Sequence, residues 1–248
     1  RPTAYTVLTK EQSVATKYVY YWAARVVGGT GALVNEIDEL AWLDPQEAWQ
    51  RLDYARDREQ LQDVVRADLA GVLDTWPLVV VRHAKAIPRS GWKGDDRLRP
   101  LDAAGIRQAD AMIPVLAAFG VDKLVSSTST RCVETLRPYA EHRHLPLRRL
   151  AGLSEEGFAV DKTGAPKHLR RLVERGRATA LCTHGPLLHD ILAFLAGYAD
   201  KAESAHETLV EAADLGMSKG ELLVNHVSTA GRIVAVERGA PRPASTPA

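Results

Sequence analysis

Leu78-Val79-Val80-Val81-Arg82-His83-Ala84-Lys85 decides the fold. An apolar, β-branched run of strand length ends abruptly in Arg-His. A strand in an α/β sheet delivers its last residues to the sheet's carboxyl edge, where ligands bind. An imidazole beside a permanently charged guanidinium at such an edge reads as a nucleophile aimed at an anion. Two later segments repeat the design. Asp122-Lys123-Leu124-Val125-Ser126-Ser127-Thr128 leads to Arg131, and Thr179-Ala180-Leu181-Cys182-Thr183 leads to His184-Gly185. Three buried-strand patterns each hand a basic residue to one edge.

Outward from this run the signals alternate. A helix over 102–118, a strand at 122–126, a helix over 131–142 and a short strand at 145–149 follow it. Next come a helix over 166–176, a strand at 179–183, a helix over 187–197 and strands at 221–228 and 232–237. This order predicts an α/β domain over 77–240 with a mostly parallel sheet covered by helices. Upstream, 3–9 and 17–27 read as strands, Gly28-Gly29-Thr30-Gly31 as a turn, and Asp44-Pro45 as the N-cap and first residue of a helix. A second helix is expected over about 57–73. Thr75-Trp76-Pro77 reads as the boundary between this first segment, 1–75, and the main domain. The Pro/Ser/Ala-rich tail, 241–248, is expected to be disordered.

The charge is uneven. Up to Trp76 there are 8 Lys/Arg against 12 Asp/Glu; from Pro77 onward there are 24 against 19. The basic second part suits an anionic substrate. It is too sparse for a nucleic-acid partner. No apolar run reaches membrane-spanning length, so no membrane partner is expected. Cys132 and Cys182 lack metal-site spacing and read as small buried residues in a reducing cytoplasm. Arg1-Pro2-Thr3 opens directly onto strand-like sequence, with no signal peptide, and the first residue is not Met. The chain is therefore expected to begin inside a longer protein. No pattern specifies an oligomeric state.

His83 is the candidate nucleophile, attacking phosphorus to leave a phosphohistidine that water cleaves. Arg82 and Arg131 form the candidate phosphate clamp, since guanidinium forks bind phosphate oxygens bidentately. Arg131 follows the hydroxyl-rich stretch Ser126-Ser127-Thr128-Ser129-Thr130, so hydroxyls, helix N-terminal amides and a guanidinium can face one anion. His184 would stabilise charge in the transition state. The leaving oxygen needs a proton, and the turn-like Leu153-Ser154-Glu155-Glu156-Gly157 supplies either Glu155, the candidate acid, or Glu156, also a candidate substrate contact; a solvated acidic loop is the competing reading. The polar loop from Ser90 to Leu101 could cover the pocket. Lys85, Lys93, Arg97 and Arg99 are its substrate-binding candidates, Arg99 foremost because Pro100-Leu101 anchors it beside the helix at 102. His142, His144, His168, His189, His206 and His226 read as structural.

Residues from about 78 to 238 resemble the histidine phosphatase superfamily, whose mark is Arg-His-Gly after the first strand; here it is Arg82-His83-Ala84. Arg131 matches the second arginine, Leu153-Ser154-Glu155 the acid region and His184 the second histidine. Trp92, Arg99-Pro100-Leu101 and Gly105 make the chain similar to the SixA-like branch. The resemblance implies metal-free chemistry through a phosphohistidine. Ala84 in place of Gly limits how closely backbone can approach there. Tyr20-Tyr21-Trp22-Ala23, Glu36-Ile37-Asp38-Glu39-Leu40-Ala41-Trp42-Leu43 and the Asp44-Pro45 helix resemble the C-terminal half of a Nudix domain. Together the halves are similar to actinobacterial two-domain MutT-type hydrolases of 8-oxo-guanine nucleotides and dinucleoside polyphosphates. The carboxylate box that holds Mg²⁺ in such a domain is not in this sequence. Arg58-Glu59-Gln60-Leu61-Gln62-Asp63 lacks its upstream Gly and Glu. Mg²⁺ is thus expected only for an intact Nudix domain.

Three functions compete: a phosphatase working through His83, a Nudix-type pyrophosphohydrolase in a longer parent protein, and a non-enzymatic phosphate-binding module. The phosphatase leads because all four basic groups are present.

Overall fold

The run Leu78–Val81 forms the fully buried middle of β3 (Thr75–Arg82). The structure, a computed structural model, describes residues 3–9, 12–26, 28, 33 and 37–241. Side chains alternate along a strand. Leu78 and Val80 therefore enter one apolar layer, with helices α5 (Glu155–Val160), α6 (Gly164–Arg175), α7 (Gly185–Ala196) and α8 (Ser204–Leu215). Val79 and Val81 enter the other, with α3 (Ala103–Ala118) and α4 (Thr130–His142). Fully burying one such side chain stabilises the fold by about 1.5–3 kcal/mol, so covering both faces holds the strand in place. A continuous apolar run is what a strand covered on both faces requires.

The sheet has six strands in the order β5-β4-β6-β3-β7-β8. β5 (Leu147–Arg149), β4 (Lys123–Ser126), β6 (Thr179–Thr183) and β3 are parallel. β7 (Leu222–Ser228) runs antiparallel to β3, and β8 (Ile233–Gly239) antiparallel to β7. The parallel set sends the ends of β3, β4 and β6 to one edge.

The chain divides into two compact units between Asp74 and Thr75. In the first, β1 (Thr3–Leu8) and β2 (Val14–Val19) form an antiparallel hairpin, followed by α1 (Pro45–Arg51) and α2 (Ala55–Leu69). Asp44 caps α1 by accepting from the N–H groups of Gln46 and Glu47, with Pro45 at the first helical position. None of this unit's described residues is buried.

Two expectations need correction, and one helix lies where none was expected. The strand expected over 17–27 ends at Val19, where its pairing with β1 ends; among the described residues, 20–26 lie outside any strand, and Val27 falls outside the described residues. Thr75-Trp76-Pro77, expected at the boundary, directly follows the division after Asp74 and begins β3, paired with Ser228, Val227 and His226. Pairing of β3 with β6 begins only at Leu78, so Pro77 leaves no ladder donor missing on that side. Leu153–Gly157, read as turn-like, runs into the short helix α5, capped by Ser154. Helix α8 carried no sequence signal because its buried face is mostly Ala205, Ala212 and Ala213 around Leu209. The expected glycine turn at 28–31 lies mostly outside the described residues, as do Glu36 and the tail beyond 241.

Gly105, in the first turn of α3, lets the helix approach the backbone that follows β3. A Cβ there would lie 1.9 Å from the carbonyl oxygen of Lys85. Gly105→Ala is expected to destabilise the protein by about 2 kcal/mol or more, measured by urea unfolding. An unchanged midpoint would show that α3 slides without cost.

Candidate active site

Register brings the two histidines together. Arg82 pairs with Thr183 across β3 and β6, and the His83 N–H donates to the Thr183 carbonyl at 3.1 Å. His83 and His184 therefore leave adjacent strands side by side, their ring centroids 5.3 Å apart at 61°. On the other flank of β6, the Ser127 N–H donates to the Cys182 carbonyl. This draws Ser127 and the start of α4 to the same place.

His83 is almost wholly buried, and its Nδ1 lies 2.7 Å from the Ala84 carbonyl. A carbonyl only accepts, so a neutral ring carries its proton on Nδ1 and keeps the Nε2 lone pair free. Burial pushes the imidazole down to about 3; the neighbouring His184 ring and the Arg131 and Arg82 guanidiniums press the same way against the raising hydrogen bond to Ala84. Ala84, standing where the family mark has Gly, fits without exposure, and its own N–H donates to Thr135 Oγ1.

His184 is fully buried at the N-cap of α7. Its Nε2 lies 2.7 Å from Ser127 Oγ and 3.4 Å from Cys132 Sγ. Its Nδ1 lies 3.4 Å from Glu155 Oε1. Arg131, the second residue of α4, is 1% exposed. Its Nη1 donates to the Asp96 carbonyl at 2.7 Å, and its Nη2 donates to Glu155 Oε1 at 3.1 Å. Arg82 donates through Nη1 to the Met217 carbonyl. Gly185 admits this guanidinium, since a Cβ there would lie 3.0 Å from Arg82 Nη2. The Nε–H groups of Arg82 and Arg131 and the Ser129 hydroxyl are buried without a hydrogen-bond partner. An unpaired buried donor costs about 1–3 kcal/mol, and an oxyanion among these donors would remove that cost.

Glu155 opens α5 beside Arg131, His184 and Arg89 (3.5 Å). Asp96 is the residue sequence reasoning missed. Its carboxylate meets Arg131 at 3.2 Å, Arg99 at 2.8 Å and Arg89 at 3.3 Å. Burial raises this carboxyl, but the hydrogen bond from Arg99 and the charges of Arg131, Arg99 and Arg89 outweigh it and hold it low. One acid three residues before Arg99, in a basic loop, was the available signal. Ser127 and Cys132, read as a hydroxyl in a run and a bland core thiol, both touch His184.

The other candidates sit apart. Arg99 turns inward, donating to Asp96 and to the Ile87 carbonyl at 2.7 Å, so it shapes the loop. Lys85 is exposed and pairs with Asp102 at 3.7 Å. Lys93 is exposed, with no hydrogen bond or ion pair among the described residues. Arg97 pairs with Asp95. Glu156 is exposed and, with Arg97, Thr128 and Ser154, lines an open cleft of about 520 Å³. Among the described residues no three His, Cys, Asp or Glu side chains are grouped as a metal site, and no helix is long and apolar enough to cross a membrane.

Residues 78–164 match the histidine phosphatase superfamily, branch 1. The chain is 34% identical over 212 residues to an 8-oxo-(d)GTP phosphatase of Mycolicibacterium smegmatis. That match covers 84% of this chain and spans 64% of the relative's length. An alpha-ribazole phosphatase from Shigella flexneri shares the fold at a TM-score of 0.50 and 15% identity, over 68% of this chain and all of that one. The protein histidine phosphatase SixA complexed with tungstate aligns at a TM-score of 0.49 and 18% identity, over 66% and 97%.

The folded site should keep His83 neutral at about pH 5, where a free histidine is mostly protonated. Nitrogen NMR of the ring is expected to show the Nδ1–H tautomer there; a doubly protonated ring would contradict the assignment. The unfolded chain takes up this proton near 6.5, so folding stability should fall as pH drops from about 6.5 toward 3, and His83→Gln should remove that contribution.

Proposed function

We propose that the main domain is a phosphohydrolase that transfers a phosphoryl group to His83. The observation that carries this reading is the His83 ring, neutral and locked through Nδ1 onto the Ala84 carbonyl, beside His184 and the buried guanidinium of Arg131. In the first step Nε2 bonds to phosphorus and the P–O bond to the leaving group breaks. Glu155, when protonated, gives the leaving oxygen its proton. In the second step water attacks the phosphohistidine, the N–P bond breaks, and Glu155 takes up the proton of the attacking water. Arg82, Arg131 and His184 hold the three phosphoryl oxygens throughout. These donors supply the charge stabilisation that metal ions supply elsewhere, so the scheme requires no cofactor.

Asp96 and Glu155 occupy Arg131 in this state, so an incoming phosphate competes with both. A dianion with oxygens in reach of both guanidiniums wins over single carboxylates because its contacts are bidentate and doubly charged. Small phosphorylated compounds, nucleotides among them, are the proposed substrates; the 8-oxo-(d)GTP phosphatase relative supports the nucleotide class.

A second reading concerns a longer parent protein. The first unit has no buried residue among those described, and the M. smegmatis relative extends beyond the match. Both fit a Nudix-type, Mg²⁺-dependent pyrophosphohydrolase domain completed by further sequence. Mg²⁺-dependent cleavage of an 8-oxo-purine nucleoside triphosphate by the longer protein, and not by this chain, would establish it.

His83→Ala should lower turnover of p-nitrophenyl phosphate by about a thousandfold or more, with excess EDTA leaving the unaltered enzyme's rate unchanged. A rapid alkaline quench should leave phosphate on His83. Phosphate binding with no phosphoenzyme and no turnover would make the domain a binding module instead.

A further inference from the structure

The seam between α6 and the edge of the sheet is built against expectation. Lys123 and Val125 lie two apart on β4 and share a face, and Arg148 is Val125's register partner on β5. His168, Arg171 and Arg175 recur at helical spacing along α6. Helix and sheet ordinarily meet there through apolar side chains. Here four cationic side chains and the His168 ring line a cavity of about 140 Å³ together with Val125, Leu150 and Leu172. Among the described residues, none of the five makes an ion pair with a carboxylate. The adjacent acid, Asp122, is held by Arg177 at 2.8 Å.

Such a cluster costs free energy when nothing offsets it, because exposed like charges crowd around the half-buried Lys123 and His168. Burial first, then Arg175, Arg148 and Arg177, hold the Lys123 ammonium below its ordinary range. Burial, then Arg171 and Arg148, lower His168 in the same way. The negative end of the α6 dipole accounts for Arg175 in the last turn. It does not account for Lys123 and Arg148 on the strands opposite.

We propose that this cavity is a second anion site that takes a phosphate or pyrophosphate group, separate from the phosphoryl site at His83. Its size suits a group of that scale, and its donors are the residue types that bind phosphate oxygens. His168 lines both this cavity and the open cleft that passes Ser154 and Glu156, so the cavity adjoins that cleft. The same chemistry fits a free phosphate anion or the far phosphate of a substrate phosphorylated at two positions.

The test reads the His168 ring by NMR while inorganic pyrophosphate is added; no turnover is needed, so it stands or falls apart from the reaction proposed above. A saturable His168 shift is expected, kept in Arg131→Ala and weakened at least about tenfold in the exposed-residue variant Arg171→Gln/Arg175→Gln. Shifts confined to His83 and His184, or an affinity unchanged in the double variant, would overturn the proposal. A kinetic arm separates the sources. A higher KM for a nucleoside 3′,5′-bisphosphate, with that for p-nitrophenyl phosphate unchanged, assigns the cavity to the substrate's far phosphate. Unchanged KM for both, with pyrophosphate binding lost, assigns it to a free anion.

Discussion

Parallel pairing of β3 with β6, in the register that sets Arg82 against Thr183, is the constraint on which the site depends. It makes His83 and His184 neighbours although one hundred residues separate them in sequence. A slip of one residue would turn one of the two side chains to the opposite face. The register is held by apolar side chains facing two different helical layers, Leu78 and Val80 toward one and Val79 and Val81 toward the other. The chemistry at the strand ends is thus positioned by packing in the strand middles. Those middles contain no group that reacts.

Electrostatics then sorts the groups at this edge. Imidazole can shed its charge and guanidinium cannot. Burial therefore leaves His83 a neutral nucleophile while Arg131, just as buried, stays cationic and needs partners. Asp96 and Glu155 are those partners here, each within 3.2 Å of its guanidinium. Breaking a buried pair by removing one side costs about 3–5 kcal/mol, so an entering phosphate has to replace these contacts as it displaces them. Asp96 sits in a loop joined to the core through Arg99 and the Ile87 carbonyl, which gives that loop a direct mechanical link to the clamp. The two acids thus hold Arg131 in place for an anion while occupying part of the space that anion needs.

What was legible in the sequence follows from the same physics. Uninterrupted apolar runs ending in basic residues could be read because strands covered on both faces must be apolar throughout. His83, Arg82, Arg131 and His184 could be read because each stands immediately or shortly after such a run. Glu155 was found with its neighbour, though the helix it opens was not, since six residues carry too little periodicity. Asp96, Ser127 and Cys132 act through residues distant in sequence, and no local pattern separates them from an ordinary loop acid, loop hydroxyl or core thiol. Lys85 and Lys93 were favoured only for being basic and close to His83 in the chain; strand geometry carries the chain away from the edge after Ala84, and proximity in sequence is lost. Helix α8 stayed hidden because alanine fills its buried face.

The central claim is that His83, His184, Arg82 and Arg131 converge on one tetrahedral anion. A crystal structure of the protein soaked in tungstate tests this most directly. The account predicts one tungstate at the shared edge of β3 and β6, with oxygens at hydrogen-bond distance from both guanidiniums and from His184, and His83 Nε2 facing the metal centre of the oxyanion. Tungstate bound away from His83, or a His83 ring whose Nε2 points into the core while the two arginines keep their carboxylates, would contradict it.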